Sequence, residues 1–303
     1  MTNALLGAAI GDSLGVFAES KLHNYQPLLD WDGKTYLGSE HHDLKPGEYS
    51  DDTQLSRALA ESLISCNGFN PDDVSKKYVE LFTSNTIRGY GKSTLFAINN
   101  LIAGKHWSES GCVGSVGNGT AMRVSPLSIW YRDDLPSLIK AVKIDSAITH
   151  VSEEAEAGAL AIALSAYYAV NNDTQDLLNK IVPNLPESKV KSSLYSLGAL
   201  IEAENISPQS ALSILGTKCD VRQTVPAVLY CFHKFDNYQN GCETIIRAGG
   251  DTDSNASILG ALYGAKYGQI HFSEYHIKNV EDSSKLITLD SQLYNRSGTS
   301  FFS

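Results

Sequence analysis

The stretch Gly249-Gly250-Asp251-Thr252-Asp253-Ser254 sets two carboxylates two positions apart among hydroxyls that can also coordinate. The glycines ahead of them permit a tight backbone path. A run of small and apolar residues, Asn255 to Ala265, follows. A second knot, Ser50-Asp51-Asp52-Thr53, lies far earlier and also precedes a helix-like run. Neighbouring carboxylates cannot share one helix face, but at a helix N-terminus Asp51 and Asp52 can both turn toward a cation. Read together, the two knots are halves of one acidic, oxygen-rich site. Like charges brought together repel and take up protons unless they are compensated. A pair of divalent cations would compensate them, and an all-oxygen donor set suits Mg²⁺ or Mn²⁺ better than zinc or copper. This points to a metal-dependent hydrolase. Taken alone, the same spacing describes equally well two helix caps at separate places, because a pair of acids is a weak motif.

The glycine-richest stretch, Gly111 to Gly119, is the second feature. Backbone amides around Gly114, Ser115, Gly117, Asn118 and Gly119 can form an anion-binding nest, more so if a helix N-terminus follows. No lysine stands where a P-loop needs one, and no βαβ context marks a dinucleotide fingerprint. A crowded turn is the plain alternative. Arg123 lies past the loop and reads as a structural ion-pair partner.

Helices must carry these residues. Leu5, Leu6, Ile10, Leu14 and Phe17 repeat at helical spacing, which predicts a helix over Asn3–Glu19. Gly7, Gly11 and Gly15 recur on one face, permitting close approach of another helix or of a ligand, and Asp12 lies beside that stripe. Residues 21–48 read as loop. Ser50 or Asp51 caps a helix that stops at Asn67-Gly68, and Asn70-Pro71 starts the next. Arg88 to Thr94 leads into another helix. Further helices are expected at 135–147, 152–170, 189–204, 207–215, 224–235, 241–247 and 253–267, with a polar connection at 171–188. No clean alternating run predicts a strand. The expectation is an all-α, multi-helix protein in a single domain spanning 1–303, with a polar tail from Lys278 that packs over the body or stays loose.

Composition bounds the rest. The chain has 303 residues, 42% of them hydrophobic, and a net charge of −10, which disfavours nucleic acid as the main ligand. The five cysteines form no C-x-x-C pair, so disulfide and structural-zinc frameworks are not expected. Asp12 and Glu19 interrupt the first apolar run and no basic segment precedes it, arguing against a secretory signal. No stretch reaches the length of a membrane span. A cytoplasmic monomer, not associated with membranes, is the expectation.

Several pieces, in order, resemble the ADP-ribosylglycohydrolase family, which includes dinitrogenase-reductase-activating enzymes and J1 crystallins. They are Gly11-Asp12-Ser13-Leu14-Gly15 with Glu19, Tyr49-Ser50-Asp51-Asp52-Thr53-Gln54, Arg88-Gly89-Tyr90-Gly91, and Gly117-Asn118-Gly119 with Met122-Arg123 and Pro126. Thr149-His150, Thr224-Val225-Pro226-Ala227, Gly249 to Ser254, Gly260-Ala261 and Tyr267-Gly268 complete the set. The resemblance implies an orthogonal helical bundle around two Mg²⁺ or Mn²⁺ ions, with Ser50, Asp51, Asp52, Asp251, Asp253 and Ser254 as ligands. Positions 50 and 254 are usually threonine in the family; serine keeps the oxygen and loses a methyl. The resemblance also implies hydrolysis of the bond between C1″ of ADP-ribose and a protein or small-molecule acceptor. In that reading Glu19 is general acid/base or water-positioner, Asp51 or Asp52 can hold the attacking water, and Asp12 supports the ligands through hydrogen bonds. The Gly114–Gly119 loop would cradle the diphosphate, with His150 and Tyr90 as further ligand contacts. The expected partner is an ADP-ribosylated protein or conjugate, with N-linked arginine as first choice. The alternatives are an O-linked serine, poly-ADP-ribose or small-conjugate hydrolase, or an inactive ADP-ribose-binding or crystallin-like homologue.

Overall fold

The computed structural model describes residues 2–19, 30–203 and 205–296. Among them the regular structure is helical apart from one two-residue strand pair and isolated bridges, with the longest non-helical connections at 31–50 and 114–124. The helices, in order, are α1 (Ala4–Gly15), α2 (Asp51–Cys66), α3 (Pro71–Thr83), α4 (Lys92–Ile102), α5 (Trp107–Ser110), α6 (Ser125–Trp130), α7 (Leu135–Thr149), α8 (Glu153–Val170), α9 (Leu177–Ile181), α10 (Lys189–Glu202), α11 (Pro208–Leu215), α12 (Val221–Lys234), α13 (Tyr238–Arg247), α14 (Thr252–Tyr267), α15 (Glu274–Asn279) and α16 (Ser283–Arg296).

The glycine stripe of α1 explains the centre of the bundle. Gly7, Gly11 and Gly15 face Gly260, Ala256 and Thr252 of α14 so closely that a Cβ added at Gly11 would lie 2.0 Å from the Ala256 carbonyl oxygen. The two helices run antiparallel, backbone on backbone; α1 is buried along its whole length and α14 from Thr252 to Ala265. Of the two uses the stripe permitted, the structure shows close helix contact. This pairing also brings the acidic ends together, because Asp12 of α1 and the N-terminus of α14 lie at the same end. The alanine-rich α8 packs beside α14, with Ala155, Leu160, Ile162 and Leu164 in the core.

Local chemistry sets several boundaries that periodicity alone misplaced. α1 stops at Gly15 rather than Glu19, and the carbonyl of Gly15 accepts from Thr252 Oγ1 at 2.7 Å. α12 begins at Val221 because Asp220 caps it, and α13 begins at Tyr238 because Asn237 does. The connection at 171–188 contains α9 and a 3₁₀ turn, Val182–Asn184. Cys112–Val113 pairs in parallel with His150–Val151, a pairing too short to leave an alternating pattern. In the region expected to be loop, Ser39 and Leu44 form an antiparallel bridge; residues 20–29 lie outside the described residues. The C-terminal segment packs down: Leu286, Leu289 and Leu293 are buried, and Asp290 accepts from the backbone amides of Leu5 and Leu6 at 3.0 and 3.1 Å. Residues 297–303 lie outside the described residues.

Candidate metal centre and active site

The first acidic turn is held from below by α1. Asp12 is fully buried and accepts from Ser50 N at 2.9 Å, Thr53 N at 3.1 Å and Thr53 Oγ1 at 2.7 Å. These bonds fix the start of α2 and leave Asp51 and Asp52 at its positive end. Ser50 Oγ accepts from Asp52 N at 3.3 Å and lies 3.2 Å from Asp52 Oδ2. Ser50 therefore caps α2, as spacing alone allowed, and stands within the acidic cluster as well.

The second turn meets the first directly. Ser254 Oγ donates to Asp52 Oδ2 at 3.2 Å across the α2–α14 junction. Gly249 and Gly250 have φ of +74° and +85°, and a Cβ at Gly250 would lie 2.4 Å from the Thr217 carbonyl oxygen. Thr217 O accepts from Asp251 N at 2.8 Å and from Asn255 Nδ2 at 2.7 Å, which anchors the turn. Carboxylate oxygens of Glu19, Asp251 and Asp253 all lie within 4.8 Å of one another. Thus Glu19, Ser50, Asp51, Asp52, Asp251, Asp253 and Ser254 converge at one place.

Concentrated acid in a buried place shifts these groups strongly. Burial, followed by the charges of Asp12 and neighbouring carboxylates, holds Asp51 and Asp52 well above the usual carboxylate range. Burial and then Glu19 and Asp251 do the same to Asp253. Burial raises Asp251 to about 6, against hydrogen bonds that favour its charge. Burial also raises Asp12. Such a cluster is electrostatically costly without a cation.

The glycine loop borders this cluster. Asn118 Nδ2 donates to Asp251 Oδ2 at 2.5 Å and lies 3.0 Å from Thr224 Oγ1. Gly114 has φ +75°, Ser115 Oγ lies 2.7 Å from Ser93 Oγ, and Ser152 Oγ donates to Ser115 O at 2.5 Å. His150 lies beneath the loop: Cβ atoms added at Gly117 and Gly119 would come within 3.3 and 2.9 Å of its ring. Its Nδ1 lies 2.8 Å from Thr149 Oγ1. Burial, then the Arg123 charge, lowers His150 to about 3, so the ring is neutral. Arg123 is the structural ion-pair partner that its position suggested. Fully buried, it pairs with Asp145 at 3.0 Å and donates to Gly119 O at 3.0 Å and Thr149 Oγ1 at 2.9 Å. Tyr90 points elsewhere: its ring packs on Phe82 at 4.9 Å and lines a surface hollow with Ile87, Leu95 and Ile102.

Sequence reasoning missed His42, whose Nε2 pairs with Glu19 Oε2. The hydrogen bond to Glu19 raises its pKa against burial. Nothing in the spacing of Glu40-His41-His42-Asp43 marks one histidine over its neighbour; only the turn that carries it does.

The residues present fit divalent cations. Asp52 Oδ1 is buried with no hydrogen-bond partner, an expensive state that an ion would relieve. The donors are all oxygen, which suits Mg²⁺ or Mn²⁺. The structure thus carries a candidate acidic metal-ligating cluster.

An all-α bundle with such a cluster beside a glycine-rich loop defines a metal-centred hydrolase class. The sequence profile described as ADP-ribosylglycohydrolase matches residues 1–301, and the chain belongs to that family of enzymes. An uncharacterized protein of Archaeoglobus fulgidus is 29% identical over 300 residues, covering 96% of this chain and 95% of its own. The human protein ADP-ribosylhydrolase ARH3 is 27% identical over 310 residues, covering 87% of this chain and 84% of its own. A solved structure of an ADP-ribosylglycohydrolase-related protein complex shares the fold, with a TM-score of 0.81 at 24% identity, covering 97% of this chain and 96% of that one. None of the helices described is long and apolar enough to cross a membrane.

Proposed function

We propose that the protein hydrolyses the C1″ bond between ADP-ribose and a protein side chain, at a centre of two Mg²⁺ or Mn²⁺ ions. Ser50, Asp51, Asp52, Asp251, Asp253 and Ser254 would hold the ions. The observation that carries this reading is the convergence of Glu19 with Asp251 and Asp253 beside the orphaned Asp52 Oδ1. When bound, the ions neutralise the carboxylates and supply an acidified water.

The protein's own groups do the rest. The Gly114–Gly119 loop offers backbone amides for the diphosphate, and neutral His150 beneath it can hydrogen-bond ribose or phosphate without charge. Asn118 ties that loop to Asp251, so ligand and acidic cluster share one frame. Glu19 receives a proton as the water oxygen bonds to C1″. The bond from C1″ to the acceptor breaks, and the acceptor atom takes the proton from Glu19. Free ADP-ribose and the unmodified side chain result.

The linkage we favour is the O-link to serine rather than the first-choice arginine. A departing alkoxide needs a proton more than a guanidine does, and Glu19 stands inside the cluster where it can give one. The human relative is named as an ADP-ribosylhydrolase. The test is release of ADP-ribose from model proteins modified on serine or on arginine, with Mg²⁺, Mn²⁺ or chelator, beside Glu19→Gln. Metal-dependent release from the serine model, lost in the variant, is expected. Release from the arginine model alone would reverse the linkage, and binding of ADP-ribose without release from either would leave a non-hydrolytic binder.

A further inference from the structure

We propose that His42 is a positioning residue for Glu19, delivered to the site by the Ser39–Leu44 turn. The proposal rests on the role given above to Glu19. Glu19 lies beyond the end of α1, in a turn. Ordering its side chain costs rotamer entropy, so something must hold it for a carboxylate to act at one place.

The turn that carries His42 is closed by backbone. Ser39 N and Leu44 N each donate to the other residue's carbonyl at 2.8 Å, and His42 N lies 3.4 Å from Ser39 Oγ. Asp43, the next residue, takes the left-handed conformation with φ 53°, which turns the chain immediately after the histidine. The His41 ring meets the His42 ring edge-on at 4.5 Å. Gly89, at φ +78°, lies near the ring. A Cβ there would stand 3.7 Å from His42 Nδ1, 3.4 Å from Ser50 Cβ and 3.5 Å from Asp51 Oδ1. Gly89 is itself held by Arg88 N donating to Gln54 Oε1 at 3.0 Å, a bond to α2 just after the acidic turn.

His42 is therefore carried by the closed Ser39–Leu44 turn with Gly89 nearby, and its Nε2 bonds Glu19 Oε2. A Glu19 rotamer that satisfies this bond is also one that keeps its carboxylate within reach of Asp251 and Asp253. His42 touches no reacting atom; it acts through Glu19.

The experiment compares the full chain with His42→Ala, His42→Gln, Glu19→Gln and the His42→Ala/Glu19→Gln pair. Glutamine is informative because its amide nitrogen can replace Nε2 as donor. Read out are kcat and KM for ADP-ribose release, ADP-ribose and Mn²⁺ affinities by calorimetry, and the unfolding temperature. His42→Ala is expected to lower kcat by about 10–100-fold, the usual cost of removing a group that orients a site residue. KM, ADP-ribose affinity and unfolding temperature should stay close to the parent values. His42→Gln should recover much of the loss, and the double variant should be no slower than Glu19→Gln alone. An unchanged kcat in His42→Ala, a glutamine no better than alanine, or multiplicative effects in the double variant would overturn the proposal. If the parent protein releases no ADP-ribose, the proposed function fails; because the Glu19 carboxylate lies within 4.8 Å of Asp251 and Asp253, Mn²⁺ affinity still senses where it is held and then decides His42 separately. A change on His42→Ala that vanishes in the Glu19→Gln background sustains the positioning role; no such coupling overturns it.

Discussion

The side-chain amide of Asn118 donates to the carboxylate of Asp251 at 2.5 Å, and this bond makes the glycine loop and the second acidic turn one unit. The backbone of Asn118 also donates to Cys219 O at 3.0 Å. Asn118→Ala should therefore loosen the loop and the turn together. A hydrogen bond to a charged group contributes about 1.5–3 kcal/mol, and a loss of that size is expected in urea unfolding. The kcat/KM for ADP-ribose release should fall by about 10–100-fold. Asn118→Asp should be worse in chelator, because it sets a carboxylate against Asp251 and removes the donor. Equal stability of the two variants in chelator would contradict this account.

The contact between α1 and α14 makes an unequal prediction for two glycines. A Cβ at Gly11 meets the Ala256 carbonyl oxygen at 2.0 Å, and only backbone movement can relieve it. Gly11→Ala should destabilise by about 1–3 kcal/mol or more, with activity lost as the acidic ends separate. Gly198, within α10, has nothing within 4 Å of an added Cβ. Gly198→Ala should stabilise by about 0.5–1 kcal/mol, the ordinary gain from replacing a mid-helix glycine. Thermal unfolding of both variants checks the contrast.

Much of this architecture could be read before any coordinates. The two acidic knots announced themselves because carboxylates beside glycines and hydroxyls are poor core material, and the order of the pieces tied them to one family. Arg123 could be assigned a structural role because it lies past the loop, although it stands in the turn before α6 and not on the helix where it was expected. The glycine stripe left two uses open, and only its partner on α14, more than two hundred residues away in sequence, decided between them. His42 was invisible for a similar reason: its function comes from a turn closed by Ser39 and Leu44, and no local periodicity encodes which ring faces Glu19. Tyr90 stands among the expected ligand contacts with a core role equally open, and its ring packs on Phe82. Gly89 reaches the site, and the next side chain turns away onto Phe82. The C-terminal helix hid its purpose because Asp290 looks like any acid on a polar segment until it meets the amides of Leu5 and Leu6.

Asp290 gives a pH dependence with a definite sign. Burial raises its pKa from 3.8 to about 7, against the backbone bonds that favour its charge. Folding therefore takes up a proton between those values. The stabilisation from this group is complete below the unfolded pKa and is lost as pH rises through the folded one. Urea unfolding of the parent protein and of Asp290→Asn, both in chelator, should show the parent's relative stability falling from pH 4 to pH 8. The slope has an upper limit of about 1.4 kcal/mol per pH unit. A difference between the two that stays constant with pH would mean that Asp290 is ionised throughout.

The acidic cluster predicts opposite effects of one substitution with and without cations. Asp52 is held above the usual carboxylate range first by burial and then by the charges of Asp12, Asp51 and Asp251, and its Oδ1 has no partner. Without a cation, Asp52→Asn removes one of several repelling charges while keeping a similar shape, so the variant should unfold in chelator at a temperature no lower than the parent's. With Mg²⁺ or Mn²⁺ present, the parent protein should gain stability by mass action, about 2.7 kcal/mol at a cation concentration one hundred times its dissociation constant. The variant, with a weaker oxygen donor facing the ion, should gain much less. The unfolding curves of the two proteins should therefore cross as cation is added. Parallel curves would place the cation away from Asp52 and leave the buried oxygen without the partner assigned to it.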